Sequence, residues 1–420
     1  MVTVLVTIAE TSYIGKLGTA QLAAMALVFP LVMLTQMMSA GAMGGGVSSA
    51  ISRALGAGEK ERASVLAFHA FAIAALVGLF YGIFFLLFGP TAYRLLGGKG
   101  EVLEHAIGYS NILFLGSLFI WLMNGLAAVL RGTGDMRVPS ITILVVSLVQ
   151  VVLSGALGLG LGPIPRLGMP GIAAGAVIAV GAGCLFLMWY LLKGKGVLRL
   201  RITGAALSWP MFADILKVGA LSCLSPLQLV LAVLIFTGLL AQLGVTPLAG
   251  YGVGQRLEFL LVPIAFGIGV AAVPMVGMAI GSGDVARARK VAWIAACVSA
   301  LNLGVIGMVA ALYPSLWADL FTADPLVRAV AYEYLRWAGP AFAFLGFGMT
   351  LYFASQGSGK VLGPVLASTV RLIVVACAGW WLATQGSPAW MYFALVGAGM
   401  AAYGVATALA VYVTPWGRIR

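Results

Sequence analysis

Charged residues are scarce in this chain: Asp, Glu, Lys and Arg make up 9% of its 420 residues, and 62% are hydrophobic. A water-soluble domain carries about a quarter charged residues, so this composition excludes an ordinary soluble domain. Histidine occurs twice and cysteine four times. The cysteines show no paired spacing, so neither a disulfide framework nor a zinc site is indicated. We therefore predict a protein that is not an enzyme and that needs no cofactor.

Long apolar segments fill the chain instead, and most are long enough to cross about 30 Å of hydrocarbon as a helix. Backbone polar groups in lipid must be satisfied within each segment. The composition therefore predicts an all-α integral membrane protein with twelve transmembrane helices. The predicted spans are 2–14, 20–50, 63–88, 107–130, 138–161, 171–192, 215–240, 248–280, 291–313, 339–355, 361–382 and 390–413.

The second half of the chain repeats the first. Residues 131–139 read Arg-Gly-Thr-Gly-Asp-Met-Arg-Val-Pro, and residues 356–364, 225 positions later, read Gln-Gly-Ser-Gly-Lys-Val-Leu-Gly-Pro. At the same offset Gly-Ala-Gly-Glu at 56–59 returns as Gly-Ser-Gly-Asp at 281–284. Such a repeat is typical of two-halved transporters. It predicts an N-terminal six-helix bundle at 1–193, a linker at 194–212 and a C-terminal six-helix bundle at 213–420.

The repeat also makes the first span stand out, because its counterpart near Ile215 corresponds to a position before Met1. A helix over 2–14 spans only about 20 Å. We therefore expect the first helix to be shortened at its N-terminus relative to the chain's relatives. An unusually short helix is the alternative.

Basic residues are distributed unevenly between the two sides of the predicted membrane. Sixteen Lys and Arg fall on the side of the termini and of the Gly-rich loops, against six on the other side. Cytoplasmic loops carry the excess of Lys and Arg, so we predict a multi-pass protein of the inner membrane with both termini in the cytoplasm. The net charge of +12 then reflects topology, and no nucleic-acid partner is indicated.

Glu10 and Glu258 are the two acidic residues predicted to lie within apolar segments, where an unpaired charge is costly. Each is a candidate to bind a proton or Na⁺, or to meet a cationic substrate. For Glu258 the alternative is a structural ion pair with Arg371 of the eleventh span. For Glu10 the alternative is a helix-end carboxylate beside Lys16 in the headgroup region.

Other polar or soft side chains within the spans could line a substrate cavity. The methionines would suit a promiscuous binding face, although they could equally fill the core, and each amide could simply join two helices. The candidate substrate-cavity residues are Met33, Gln36, Met37, Asn124, Gln150 and Ser154 in the first half, and Tyr251, Gln255, Arg256 and Arg371 in the second.

Five short motifs, in order along the chain, resemble those of the multidrug and toxic compound extrusion (MATE) family of the MOP superfamily. They are Glu-Thr-Ser-Tyr-Ile-Gly-Lys-Leu-Gly at 10–18, Leu-Gly-Ala-Gly at 55–58, Arg-Gly-Thr-Gly-Asp at 131–135 with Pro139 after it, Gln-Arg-Leu-Glu at 255–258 and Gly-Ser-Gly-Asp at 281–284. The resemblance covers essentially the whole chain. The order of the motifs is more specific than any one of them.

The resemblance implies a prokaryotic exporter built of two six-helix bundles in a V shape. It implies exchange of amphipathic organic cations for H⁺ or Na⁺ by alternating access, in a protein that we expect to be a monomer in membrane lipid. The nearest branch is DinF-like, in which an acidic residue of the first helix is the coupling site, here Glu10. That branch usually has Asp there, and an Asn-x-x-x-Asp pair where this chain has Gln150 and Ser154.

Two other functions fit a membrane protein of this kind. A lipid-linked saccharide flippase of the same superfamily is expected to hold several basic residues in its cavity, whereas Arg256 and Arg371 are the candidates here. An uncoupled channel or scramblase is the other alternative, because the second carboxylate of the coupling network is missing. Transport against a gradient distinguishes an antiporter from a channel.

Overall fold

The computed structural model describes residues 2–161, 165–200 and 207–417, with side chains from Leu5 onward. Positions 201–206 of the predicted linker, and Arg418 and Arg420 of the charge count, lie outside the described residues. The helices are α1 Val2–Gly15, α2 Thr19–Gln36, α3 Gly44–Gly56, α4 Lys60–Leu95, α5 Gly100–Leu115, α6 Ser117–Gly132, α7 Arg137–Leu159, α8 Gly168–Leu192, α9 Trp209–Ser222, α10 Leu224–Ala241, α11 Val245–Gly281, α12 Val285–Leu312, α13 Ser315–Ala318, α14 Pro325–Ala338, α15 Phe342–Ser358, α16 Leu362–Thr384 and α17 Ala389–Val413.

The all-α fold is confirmed, and each predicted span coincides with a helix or with consecutive helices. Ten helical segments of the described chain are long and apolar enough to cross a membrane. An eleventh is formed by α5 and α6 together, which bend by 45° at Gly116. The remaining predicted span is α1, which has 14 residues.

The predicted span 20–50 is not one continuous α-helix. A π-helix, Met37–Met43, separates α2 from α3. Hydropathy does not distinguish a π-turn from an α-turn, so this interruption could not be predicted from the sequence. π-Turns within α-helices are frequent at functional sites, and this one begins directly after Gln36, a candidate cavity residue.

The repeat is visible in the backbone of both halves. Gly58 and Gly283 have φ angles of 80° and 82°, and Gly134 and Gly359 have φ angles of 88° and 77°. Each glycine follows the end of a helix, where a left-handed residue commonly satisfies the last carbonyl groups. The glycines shared by the two copies are therefore helix-ending residues, which explains why they survive in both.

The chain divides into two compact units, Met1–Leu216 and Lys217–Arg420. Helix pairing within the units follows the repeat: α4 packs on α6 and α7 on α8 in the first, as α12 packs on α15 and α16 on α17 in the second. The finer division into bundles 1–193 and 213–420 with a linker stays a prediction.

The beginning of α9 belongs to the first unit, where polar contacts that the sequence did not indicate hold it in place. Asp214 accepts hydrogen bonds from Arg53 at 2.6 Å and from Arg62 at 3.0 Å. The buried His69 ring accepts a hydrogen bond from the backbone N–H of Ser208 at 2.9 Å. These contacts fix the segment that leads into the second half against α3 and α4.

Gly357→Ala is expected to destabilise the protein by about 1–3 kcal/mol, because overpacking forces neighbouring atoms apart. A Cβ atom at Gly357 would lie 2.5 Å from the carbonyl oxygen of Val273. Thermal unfolding in detergent measures the effect. Gly267→Ala is the matched control, since a Cβ there meets nothing within 4 Å. Equal losses of stability in the two variants would contradict this account of the close contact between α11 and α15.

Candidate functional site

Glu10 lies in the first unit, on α1, and the carboxylate is buried. Its Oε1 accepts a hydrogen bond from Gln150 Nε2 at 2.8 Å and lies 3.2 Å from Ser154 Oγ. Gln150 and Ser154 are four residues apart, so both lie on the face of α7 that packs on α1. The structure therefore joins three of the candidate residues in one cluster.

The Glu10 cluster contains no cation. Among the residues that the structure describes, no Lys, Arg or His lies within ion-pair distance of this carboxylate. An apolar cluster that includes Ile14, Tyr109 and Ile172 is formed by the same group of helices. A buried carboxylate without a cationic partner is costly in its charged form, so the site favours binding of a proton or another cation.

Ser154 has two possible acceptors for its single hydroxyl hydrogen. Its Oγ lies 3.2 Å from Glu10 Oε1 and 3.0 Å from the carbonyl oxygen of Ile172 on α8. A serine hydroxyl donates one hydrogen bond at a time. An ionised Glu10 can accept from this hydroxyl, whereas a protonated Glu10 can donate to the Ser154 oxygen while the hydroxyl donates to Ile172.

A second polar group lies at the π-helix. Asn124 Nδ2 donates to Ser39 Oγ at 2.9 Å and to Gln36 Oε1 at 3.3 Å. Gln36 is exposed although it lies in the middle of a segment long enough to span the membrane. Polar residues at such depth usually face the bundle interior or a water-filled cavity. Met33 and Met37 are half-buried beside it along the same segment.

Glu258 lies in the second unit, buried on α11. Arg371 Nη2 of α16 is 3.6 Å from its Oε1, and the Tyr334 hydroxyl donates to its Oε2 at 3.5 Å. The ion pair that the sequence left as an alternative is thus present, with a long separation. The Nε of Arg371 is buried without an acceptor among the described residues.

The remaining candidates of the second half are not joined to this pair by hydrogen bonds. Arg256 is exposed, and its guanidinium lies over the ring of Phe321, 5.1 Å from the centroid. Tyr251 is buried in the aromatic core, with its ring 5.4 Å from that of Tyr334. Gln255 is half-buried. The roles assigned to these residues stay predictions.

Sequence reasoning missed two polar contacts between α10 and α16. Gln228 Nε2 donates to Thr369 Oγ1 at 2.7 Å, and Ser368 Oγ lies 3.3 Å from Ser225 Oγ. Short polar side chains in an apolar span carry little signal by themselves. The 225-residue repeat could have provided a signal. It relates α10 and α16 to α1 and α7, and each pair packs together within its own half.

Comparisons with known proteins agree with this architecture. The model of the MatE family matches residues 1–155 and 222–381. The chain is 26% identical to a probable multidrug resistance protein NorM of Thermotoga maritima, over 87% of this chain and 78% of that protein. It is also 26% identical to an FAD transporter of Shewanella oneidensis, over 88% of this chain and 81% of that protein. A solved MOP superfamily transporter from Pyrococcus furiosus has the same fold, with a TM-score of 0.89, 24% identity and coverage of 98% and 91% of the two chains.

Proposed function

The chain belongs to the MatE family of membrane transporters, and from that premise we propose that it exports amphipathic organic cations in exchange for H⁺ or Na⁺. The observation that carries the proposal is the buried Glu10 carboxylate with two neutral partners, Gln150 and Ser154. The two bundles would expose this site alternately to the cytoplasm and to the outside. The protein would act in the inner membrane, as a monomer with cytoplasmic termini.

Competition for one negative charge is the proposed mechanism. A proton or Na⁺ that enters from outside neutralises Glu10 and lowers the affinity for a cationic substrate. Each tenfold change in affinity needs about 1.4 kcal/mol of differential binding. The attraction between opposite charges in a partly desolvated site is of that size or larger.

Glu258 is the second proposed site for the coupling ion. The contact with Arg371 already balances its charge, so an ion would have to displace the guanidinium. The long separation of 3.6 Å makes such an exchange easier than for a close ion pair. Glu10 is the stronger candidate because its partners are neutral.

Equilibrium binding tests this function. The purified protein is titrated with tetraphenylphosphonium at several pH values, with and without Na⁺, with K⁺ replacing Na⁺ as the control. We expect acid or Na⁺ to weaken binding at least about tenfold. Binding that is indifferent to both ions would contradict the proposal.

An organic anion is the second candidate substrate. One relative is an FAD transporter, and Arg371 Nε is a buried donor without an acceptor among the described residues. The same titration with a flavin nucleotide distinguishes the candidates, because only an anion would lose affinity in Arg371→Gln.

Ser154→Ala is expected to change the hydrogen bonding of protonated Glu10. In the wild type the neutral carboxyl group can donate to Ser154 Oγ while that hydroxyl donates to Ile172. Infrared difference spectroscopy between acid and neutral pH should therefore show the carboxyl C=O band at a different frequency in the variant. Ser147→Ala, a buried serine on the same helix, is the control. An identical band in all three proteins would contradict the role given to Ser154.

A further inference from the structure

An apolar groove of about 280 Å³ lies on the surface of the second unit, between α12, α15 and α17. Its walls include Trp293 and Phe347 on one side and Val405, Ala408 and Tyr412 on the other. Along α17 the groove extends from Gly404 to Tyr412, about 12 Å of helix. The groove takes no part in the transport mechanism described above.

The groove lies on helices whose length and hydropathy fit membrane spans. Both α12 and α17 are long and apolar enough to span a membrane. Val405, Leu409 and Tyr412 are exposed along its side. An occupant must therefore be apolar where it contacts these residues.

One end of the groove is positively charged. Arg289 Nη2 donates to the carbonyl oxygen of Thr414 at 2.9 Å, and Nη1 donates to that of Tyr412 at 3.4 Å. Tyr412 thus belongs both to the groove wall and to the arginine site. Lys290 is exposed beside Arg289, and the indole N–H of Trp416 is buried there without an acceptor among the described residues.

We propose that this groove binds an anionic phospholipid, with an acyl chain along α17 and the phosphate group at Arg289 and Lys290. Basic pockets between transmembrane helices on the cytoplasmic side bind anionic headgroups. The repeat does not require these cations, because Ser64 and Val65 stand 225 positions before them. A second copy of the chain would cover the apolar wall but would leave the cations unexplained.

Native mass spectrometry of the full chain tests this assignment. The protein is equilibrated in detergent with phosphatidylglycerol or with phosphatidylcholine of the same acyl chains. We expect the wild type to retain more phosphatidylglycerol. Lys290→Gln should weaken its retention about fivefold and leave phosphatidylcholine unchanged. Arg137→Gln, which removes an exposed charge elsewhere, is the control.

Ala408→Phe tests the groove itself, because the larger side chain fills it and should reduce retention of both lipids. Leu301→Phe adds bulk on an exposed part of α12 and should have no effect. If Ala408→Phe does not fold, Val405→Phe replaces it. Equal retention of the two lipids by the wild type would overturn the proposal. Unchanged lipid binding in the variant with the filled groove would also overturn it. If that variant in addition loses a dimer, the occupant of the groove is a second copy of the chain.

Discussion

Glu10→Gln is expected to abolish ion-driven export. The variant should remain folded and should still bind a cationic substrate weakly. The amide cannot ionise, so it resembles a permanently protonated carboxyl group. Opposite unit charges about 4 Å apart attract by about 4 kcal/mol at an effective dielectric constant of about 20. Loss of that attraction should weaken binding of a cationic dye at least tenfold. Dye export from proteoliposomes measures the result.

Glu104→Gln is the control for Glu10→Gln, because it removes an exposed carboxylate from the same unit. It should export dye at the rate of the wild type. Uphill export by Glu10→Gln at an undiminished rate would show that this carboxylate does not couple ion and substrate.

Glu258→Gln is expected to destabilise the protein by about 3–5 kcal/mol, because it removes the partner of the largely buried Arg371 charge. The double variant Glu258→Leu, Arg371→Met should recover most of that stability, since it removes both charges. Thermal unfolding in detergent measures both. A stable Glu258→Gln variant that has lost export would instead make Glu258 the coupling residue.

The sequence was sufficient to predict the apolar helical spans and the repeat, because both depend on local composition and on glycines that end helices. It also identified Glu10 and Glu258 as carboxylates within apolar segments, because charge in such a segment is conspicuous, and both side chains are buried. The pairing of Glu258 with Arg371 could be given only as one alternative, since it depends on how α11 and α16 pack.

Contacts between distant segments were beyond the reach of sequence reasoning. Asp214 is an ordinary loop-side carboxylate in the sequence, and its partners Arg53 and Arg62 are more than 150 positions away. Tyr334 lies outside the predicted spans, although it is fully buried beside Glu258. The π-helix was invisible for a different reason, since its residues have the same hydropathy as the helices around it.

Uphill transport of a cationic dye by the wild-type protein in proteoliposomes tests the central claim most directly. A proton gradient and a sodium gradient are imposed separately, and each is then collapsed with an ionophore. The account predicts that one gradient drives the dye beyond equilibrium and that its collapse ends the accumulation. Dye that never passes equilibrium under either gradient would contradict coupled export and would favour an uncoupled channel.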